Sequence, residues 1–189
     1  MSKDLSKLTP EELGKLFPIK VVPYNKEWGT YFEKEKTHLQ KILGFKIALR
    51  IEHFGSTSVP RLSAKPTIDL LVEIPKDNTI RKTIVERMVK NGYNHMQDHP
   101  THLMFVKGYH SDGYDDICYH IHMGTSDEAQ LWDRIYFRDY LKEYPNTAKQ
   151  YENLKLKLAK EYKFDREGYT KAKKEFIDRI EKIAKVKYS

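Results

Sequence analysis

The sequence contains a single cysteine, Cys118, in 189 residues. An intrachain disulfide framework is therefore excluded, and a reducing compartment is the natural setting. Glycine (9) and proline (8) are scarce and aromatics are not, which excludes disordered, collagen-like and low-complexity classes. No stretch approaches the roughly 20 apolar residues that span a bilayer. Met1 leads into polar residues rather than a basic and then apolar signal. A soluble cytoplasmic protein without membrane association is expected.

What is present can build a core. Thirteen Tyr, eight Phe and two Trp accompany a hydrophobic content of 39%, so the chain reads as one domain, or one core with an appended helical part. The net charge of +7 is unevenly placed. Residues 149–189 carry 13 Lys and Arg against 7 Asp and Glu, whereas residues 1–148 carry 21 against 20. A basic helical tail attracts phosphates, nucleic acid or an acidic partner, and it is equally the pattern of a solvated helix surface.

Local signals place the elements. Thr9-Pro10-Glu11-Glu12 starts a short helix that Pro18 ends. The "IKVVPY" stretch predicts a short strand. Residues 26–43 predict a helix, with Trp28, Phe32, Leu39, Ile42 and Leu43 near a 3.6 period and Gly44 just past its end. Strands are predicted over 46–54, 67–74, 93–97, 102–109 and 117–123, with a helix over 80–91 and a loop at 111–116. From Thr125 the pattern is helical: a capping box at 125–128, a helix to Tyr144, a second carrying Tyr151, Leu154, Leu158 and Tyr162, and a third from Asp165 carrying Tyr169, Ala172, Phe176, Ile180 and Ile183. The sum is an α+β fold, a mixed β-sheet with flanking helices over 1–124 and a helical C-terminal third over 125–189 packed on it as one compact unit.

One segment carries chemistry. In "IEHFGSTSVPRLSAKPTIDLLVEI", residues 51–74, a polar turn precedes a strand in which Asp69 stands among apolar residues. Gly55 allows close backbone approach or positive φ. Ser56, Thr57 and Ser58 supply hydroxyls and amides, and a helical turn there exposes unpaired N–H groups to an anion. A carboxylate next to a phosphate cradle is a usual way to hold a divalent cation. The combination points to a nucleotide or another phosphorylated small molecule. The plainer alternative is a β-turn whose hydroxyls cap a short helix, but an ionised carboxylate in an apolar strand needs a partner.

The stretch from Arg50 to Val72, followed by "YHIHMG", "FRDYLKEYPNTAKQYENLKLKLAKEY" and "REGYTKAKKEFI" in that order, closely resembles the signature of the GrpB-like family, over roughly residues 20 to 183. The resemblance implies a nucleotidyltransferase-like fold, marked by a Gly-Ser turn after one strand and carboxylates on the next. It further implies that Gly55 and Ser56 hold phosphates, that Asp69 anchors Mg²⁺ or Mn²⁺, and that Lys65 neutralises charge. A similar domain is fused to dephospho-coenzyme A kinase in some bacteria. That fusion implies the alternative of a non-catalytic ligand- or partner-binding module, for example one assisting coenzyme A biosynthesis. The chain departs from the superfamily pattern in one respect: the second carboxylate, expected two residues after Asp69, is Leu71. Glu73 shares a face with Asp69, but four strand residues span roughly 13 Å, too far for one ion. A substitute ligand would come from Glu52, His120 or His122.

His120 and His122 share a strand face. They are candidates to complete a metal site with Asp69 (His122 as the ligand) or to activate an acceptor, and equally they are hydrogen-bonded pocket histidines. His53 beside the turn would complete a three-histidine zinc site as a further alternative. Lys65 is a phosphate contact or a loop lysine. Arg138 pairs with a carboxylate or meets the ligand, and Tyr169 and Lys173, one helical turn apart, close over a phosphate or form a packing face. No DNA-reading motif and no interleaving of aromatic and basic residues appears, so nucleic acid is not the expected partner. Transfer of a nucleotidyl group to an acceptor is the enzymatic expectation.

Overall fold

A computed structural model describes residues 9–96 and 102–188. Helix α1 (Pro10–Leu16) opens on the capping box read from the sequence, with Glu12 N–H donating to Thr9 Oγ1 and Thr9 N–H to the Glu12 carboxylate. Helix α2 (Trp28–Leu43) ends at Gly44, whose φ of +81° suits a residue without a Cβ. The chain then enters β1 (Arg50–His53), β2 (Thr67–Glu73), α3 (Ile80–Lys90), β3 (Asn94–His95), β4 (Leu103–His110) and β5 (Gly113–Gly124). Helices α4 (Ala129–Glu143), α5 (Pro145–Glu161), α6 (Arg166–Ala172) and α7 (Lys174–Tyr188) follow.

The five strands form one mixed sheet in the order β1-β2-β5-β4-β3. Strands β2 and β5 lie parallel at its centre with Asp69 opposite His120 and Leu71 opposite His122, and the other pairs are antiparallel. Alternation along β2 divides the molecule. Ile68, Leu70 and Val72 point into the main core with Trp28, Phe32, Leu39 and Leu43 of α2 and Ile84 and Met88 of α3. Each of these side chains contributes about 1.5–3 kcal/mol by leaving water. Asp69 and Leu71 point to the opposite face, which the C-terminal helices cover. There Leu71 packs with Phe54, Leu131 and Ile135, and Val59 and Leu62 pack with Leu141 and Tyr151.

Several elements differ from their sequence signals. The stretch around Val22 makes only an isolated bridge to Ala64, because Pro23 has no N–H for a ladder. Strand β1 starts at Arg50 rather than residue 46: residues 45–47 turn the chain out of α2, with the Ile47 and Ala48 amides bonding Gly44 O. The loop expected at 111–116 is a two-residue hairpin turn, and β5 reaches back to Gly113, since two residues suffice to reverse antiparallel strands. The strand expected over 93–97 is seen at Asn94–His95, and Gln97 lies outside the described residues. The capping box at Thr125 does not form; α4 begins at Ala129, and Thr125 O instead accepts from Trp132 Nε1 at 2.9 Å. The third C-terminal helix is two, α6 and α7, broken at Lys173. The two halves have different partners: Tyr169 of α6 packs on Ile19 and Leu158, and Phe176 and Ile177 of α7 on the Val59 cluster. One straight axis does not serve both.

Candidate functional site

Between the sheet face that carries Asp69 and the helices α4 to α7 lies a cleft of about 830 Å³. Gly55, Ser56, Thr57, Lys65, Asp69, His120, His122, Arg138, Tyr169 and Lys173 all line it.

The turn after β1 is locked to β2. Phe54 N–H donates to Asp69 O at 3.0 Å. Residues Ser56–Ser58 form a single 3₁₀ turn, and Ser58 Oγ donates to Phe54 O at 2.8 Å. Thr57 is buried, and its hydroxyl donates to Thr67 O at 2.9 Å. The one hydroxyl proton being used there, His53 Nε2–H must be the donor to Thr57 Oγ1, 2.9 Å away. Burial lowers the His53 pKa to about 4, and Phe32 stacks on its ring at 4.8 Å. His53 does not line the cleft, so the three-histidine zinc alternative has no site, and the Thr57 side chain is committed to the scaffold. Gly55 has φ −44°, so positive φ is not its reason. Its reason is contact: a Cβ on Gly55 would stand 1.8 Å from Asp69 Oδ2 and 2.5 Å from its Cγ. The carboxylate lies directly on the glycine.

Asp69 opens onto the cleft with 23% of its side chain exposed. Burial opposes its ionisation, but the His120 imidazole and the Lys65 charge outweigh that and hold its carboxyl below the usual range. His120 Nδ1 lies 3.5 Å from Asp69 Oδ1, and its Nε2 lies 2.8 Å from the Tyr109 hydroxyl. With the Nδ1 proton directed at the carboxylate, Nε2 accepts and Tyr109 donates. Arg166 Nη2 approaches the Tyr109 oxygen at 3.5 Å. A chain from Arg166 through Tyr109 and His120 thus orients Asp69. Cys118 is no nucleophile, because burial pushes its thiol up to about 11.

The opposite wall is cationic. Lys65 and Lys173 flank the Tyr169 ring, with Nζ 5.6 and 4.2 Å from its centroid. Lys155 is only 2% exposed and sits over Tyr151 at 4.9 Å, donating to Ser63 O. Burial first lowers these lysines, followed by repulsion from Arg166 on Lys65, from Lys65 on Lys173 and from Lys173 on Lys155: Lys65 to about 8, Lys173 to about 8 and Lys155 to about 7. Arg134 adds a fourth charge against the Phe54 ring at 5.7 Å. Among the other lining charges Lys174 pairs with Asp178 and Asp133 with Lys185, while the Glu181 pKa is raised by burial and its carboxylate stabilised by the Arg134 charge. Arg138 is resolved in favour of pairing. Its guanidinium donates to Glu52 Oε2 (2.8 Å), His53 O (3.0 Å) and both Asp139 oxygens (2.7 and 3.0 Å), which leaves little for a ligand and also occupies Glu52.

A resident Mg²⁺ or Mn²⁺ does not fit this donor set. Hard cations take several oxygens, and Asp69 is the one carboxylate on this stretch of β2. The second position, Leu71, is fully buried in the hydrocarbon of Phe54, Leu131 and Ile135. His122 stands beside Leu71 rather than Asp69 in the sheet register, edge-on to Phe54. Burial, then Arg134, lowers its pKa to about 3. Among the described residues no cluster of three His, Cys, Asp or Glu side chains is arranged to hold a metal ion.

Lys155, Arg134 and Tyr151 were not anticipated as site residues. The signal was there: Lys155 falls four residues after Tyr151 on the apolar stripe of α5, and Arg134 falls between Leu131 and Ile135 on that of α4. A cation on an inward stripe marks a polar cavity beneath it.

Comparison with known proteins gives consistent matches. The family model described as "GrpB protein" matches residues 18–183. The chain is 34% identical to the "Glutamate-rich protein GrpB" of Alkalihalophilus pseudofirmus over 161 residues, covering 85% of this chain and 92% of that one. It is 32% identical to the "UPF0157 protein YqkA" of Bacillus subtilis over 88% of this chain, yet spans only 47% of that relative. The crystal structure of the conserved protein GrpB from Enterococcus faecalis superposes with a TM-score of 0.78 at 33% identity, covering 89% of this chain and 99% of that one. At 12% identity, a chain of the GLD-2/RNP-8 complex matches 74% of this chain and 44% of its own length with a TM-score of 0.51. The fold is of the nucleotidyltransferase type.

Proposed function

The chain belongs to the GrpB family, and from that premise and the charges of the cleft we propose that it binds a nucleotide or another phosphorylated small molecule. The observation that carries the reading is the convergence of Lys65, Lys155 and Lys173 on one cavity with pKa values depressed to about 8, 7 and 8. Three desolvated cations that share Asp69, with Glu152 acting on Lys155 as well, are costly to keep charged. Phosphate oxygens supply counter-charges and return the lysines to full protonation. In this reading the lysines do for the phosphates what a metal ion does elsewhere in the fold. Gly55 and Ser56 border the phosphates, Asp69 and His120 face the far end of the ligand, and Tyr169 holds two of the lysines in place.

Nucleotidyl transfer is the second reading, favoured by the opening of the Asp69–His120 pair onto the cleft. There an acceptor hydroxyl attacks the α-phosphorus, its proton passes to the Asp69–His120 pair, and pyrophosphate leaves. The loss of the second carboxylate to hydrocarbon weighs for binding without transfer, as in an accessory module. One set of measurements separates them. Calorimetric titration with ATP, GTP, CTP, UTP and coenzyme A should give binding that Lys173→Met and Lys65→Met each weaken at least about tenfold. No binding by any of the five refutes the proposal. Pyrophosphate release that disappears in Asp69→Asn establishes transfer; binding without release establishes the module.

A further inference from the structure

The cations of the cleft fall into two groups. Lys65 and Lys173 lie against the Tyr169 ring and Lys155 against Tyr151, and Asp69 attracts all three. Arg134 is also attracted by Asp69 and by Glu181, yet none of the three lysines acts on it. Arg134 rests on a different aromatic side chain, Phe54, from the Tyr169 and Tyr151 rings that carry the lysines.

The Arg134 site is built and incomplete. Its guanidinium offers five N–H donors, and among the described residues it makes no hydrogen bond and no ion pair; its near neighbour is the Phe54 ring. Beside it His122 Nδ1 is buried and has no hydrogen-bond partner. The same ring, Phe54, meets His122 edge-on with centroids 5.6 Å apart, so one aromatic side chain holds both groups. Gln130, one turn before Arg134 on α4, lies at the rim of the same cleft. A half-buried guanidinium that no group among the described residues hydrogen-bonds, with Glu181 as its nearby acid, and a buried imidazole nitrogen without a partner line one cavity, so donors are left free for a ligand.

We infer that Arg134 and His122, both against Phe54, form a second oxyanion subsite apart from the lysines on Tyr169 and Tyr151, so that the cleft takes two anionic groups. A planar fork of donors suits a carboxylate or a phosphate. Either the phosphorylated ligand carries a further anionic group, or a separate acidic molecule binds beside it. The inference rests on the cleft being a ligand site, but not on the lysines' share in it.

The test is the stoichiometry of inorganic phosphate, followed by calorimetry on the full chain, with malonate titrated separately as the carboxylate probe. Two phosphates per chain are expected for the unaltered protein. Arg134→Gln should lose one of them, at least about tenfold in affinity, and leave the other unchanged; Lys173→Met should do the reverse. Arg134→Lys, which keeps the charge without the fork, should retain the second site in weakened form, and thermal unfolding checks that each variant folds. Malonate that competes only for the site lost in Arg134→Gln assigns a carboxylate there; competition by phosphate alone assigns a phosphate. One phosphate per chain, lost in Lys173→Met and untouched by Arg134→Gln, overturns this inference and leaves the lysine site standing. No phosphate bound at all overturns both.

Discussion

Replacing Gly55 by alanine is a direct test of how the cleft is assembled. The new methyl would stand 1.8 Å from Asp69 Oδ2, 2.5 Å from Cγ and 2.8 Å from Cβ, all far inside van der Waals contact. Backbone strain does not enter, since φ at this position is −44°. The carboxylate cannot simply rotate away. It faces His120 at 3.5 Å, His120 is held by Tyr109, and Phe54 N–H ties the turn to the Asp69 carbonyl. Overpacking of this kind costs about 1–3 kcal/mol, and in a chain of this size each kcal/mol lowers the melting temperature by about 2–4 °C. Gly55→Ala should therefore unfold roughly 2–12 °C lower. The decisive measurement is a double-mutant cycle followed by denaturant unfolding. In an Asp69→Ala background the two shortest contacts no longer exist, so Gly55→Ala should cost at least about 1 kcal/mol less there than in the unaltered protein. Equal costs in both backgrounds, within the roughly 0.3–0.5 kcal/mol expected of independent sites, would refute the claim that the carboxylate rests on the glycine.

Other perturbations probe the remaining parts. Leu71→Asp, which restores the superfamily spacing, should destabilise by about 3 kcal/mol or more, because the new charge enters the Phe54, Leu131 and Ile135 cluster; a stable variant that binds Mg²⁺ would show that this pocket is not closed hydrocarbon. Arg138→Lys should lower stability by about 2 kcal/mol, since a point charge does not reproduce contacts to Glu52, His53 O and both Asp139 oxygens; unchanged thermal unfolding would refute that role. The lysines predict a pH dependence of definite sign. Lys155 is lowered from 10.5 to about 7 in the fold, so above pH 7 the unfolded chain holds the extra proton and the ligand-free protein gains stability with rising pH. From pH 7 to 9 the gain from Lys155 is on the order of 2 kcal/mol, and denaturant unfolding of Lys155→Met should show a flatter profile. Phosphate affinity should move oppositely, weakening as pH rises from 7 to 9 and the lysines lose charge; affinity independent of pH in that range would count against them as the phosphate contacts.

The C-terminal excess of positive charge shows how far composition reaches. Its lysines do not form one surface stripe. Lys185 and Lys187 pair with Asp133 and Glu143 on α4, whereas Lys155 and Lys173 turn inward to the cleft. The same count of residues serves solubility, helix docking and the candidate site.

Strand alternation and a contiguous motif are local properties, and the sequence alone determined what depends on them. It placed Asp69 on one face of a central strand, put His120 and His122 on one face of another, set the Gly55 turn ahead of the acid, and identified the family with its α+β fold. Tertiary structure decided whatever depends on how distant segments dock. The parallel register that sets His120 against Asp69 and the commitment of Thr57 to Thr67 O come from strand pairing and the turn beside it, while the break at Lys173, the commitment of Arg138 and the entry of Lys155 and Arg134 into the cavity come from helices α4 to α7 closing over the sheet. A side chain's charge is written in the sequence, but its desolvation and its partners are set by packing between distant residues, such as Glu52 with Arg138, 86 positions apart, and Ser63 with Lys155, 92 apart.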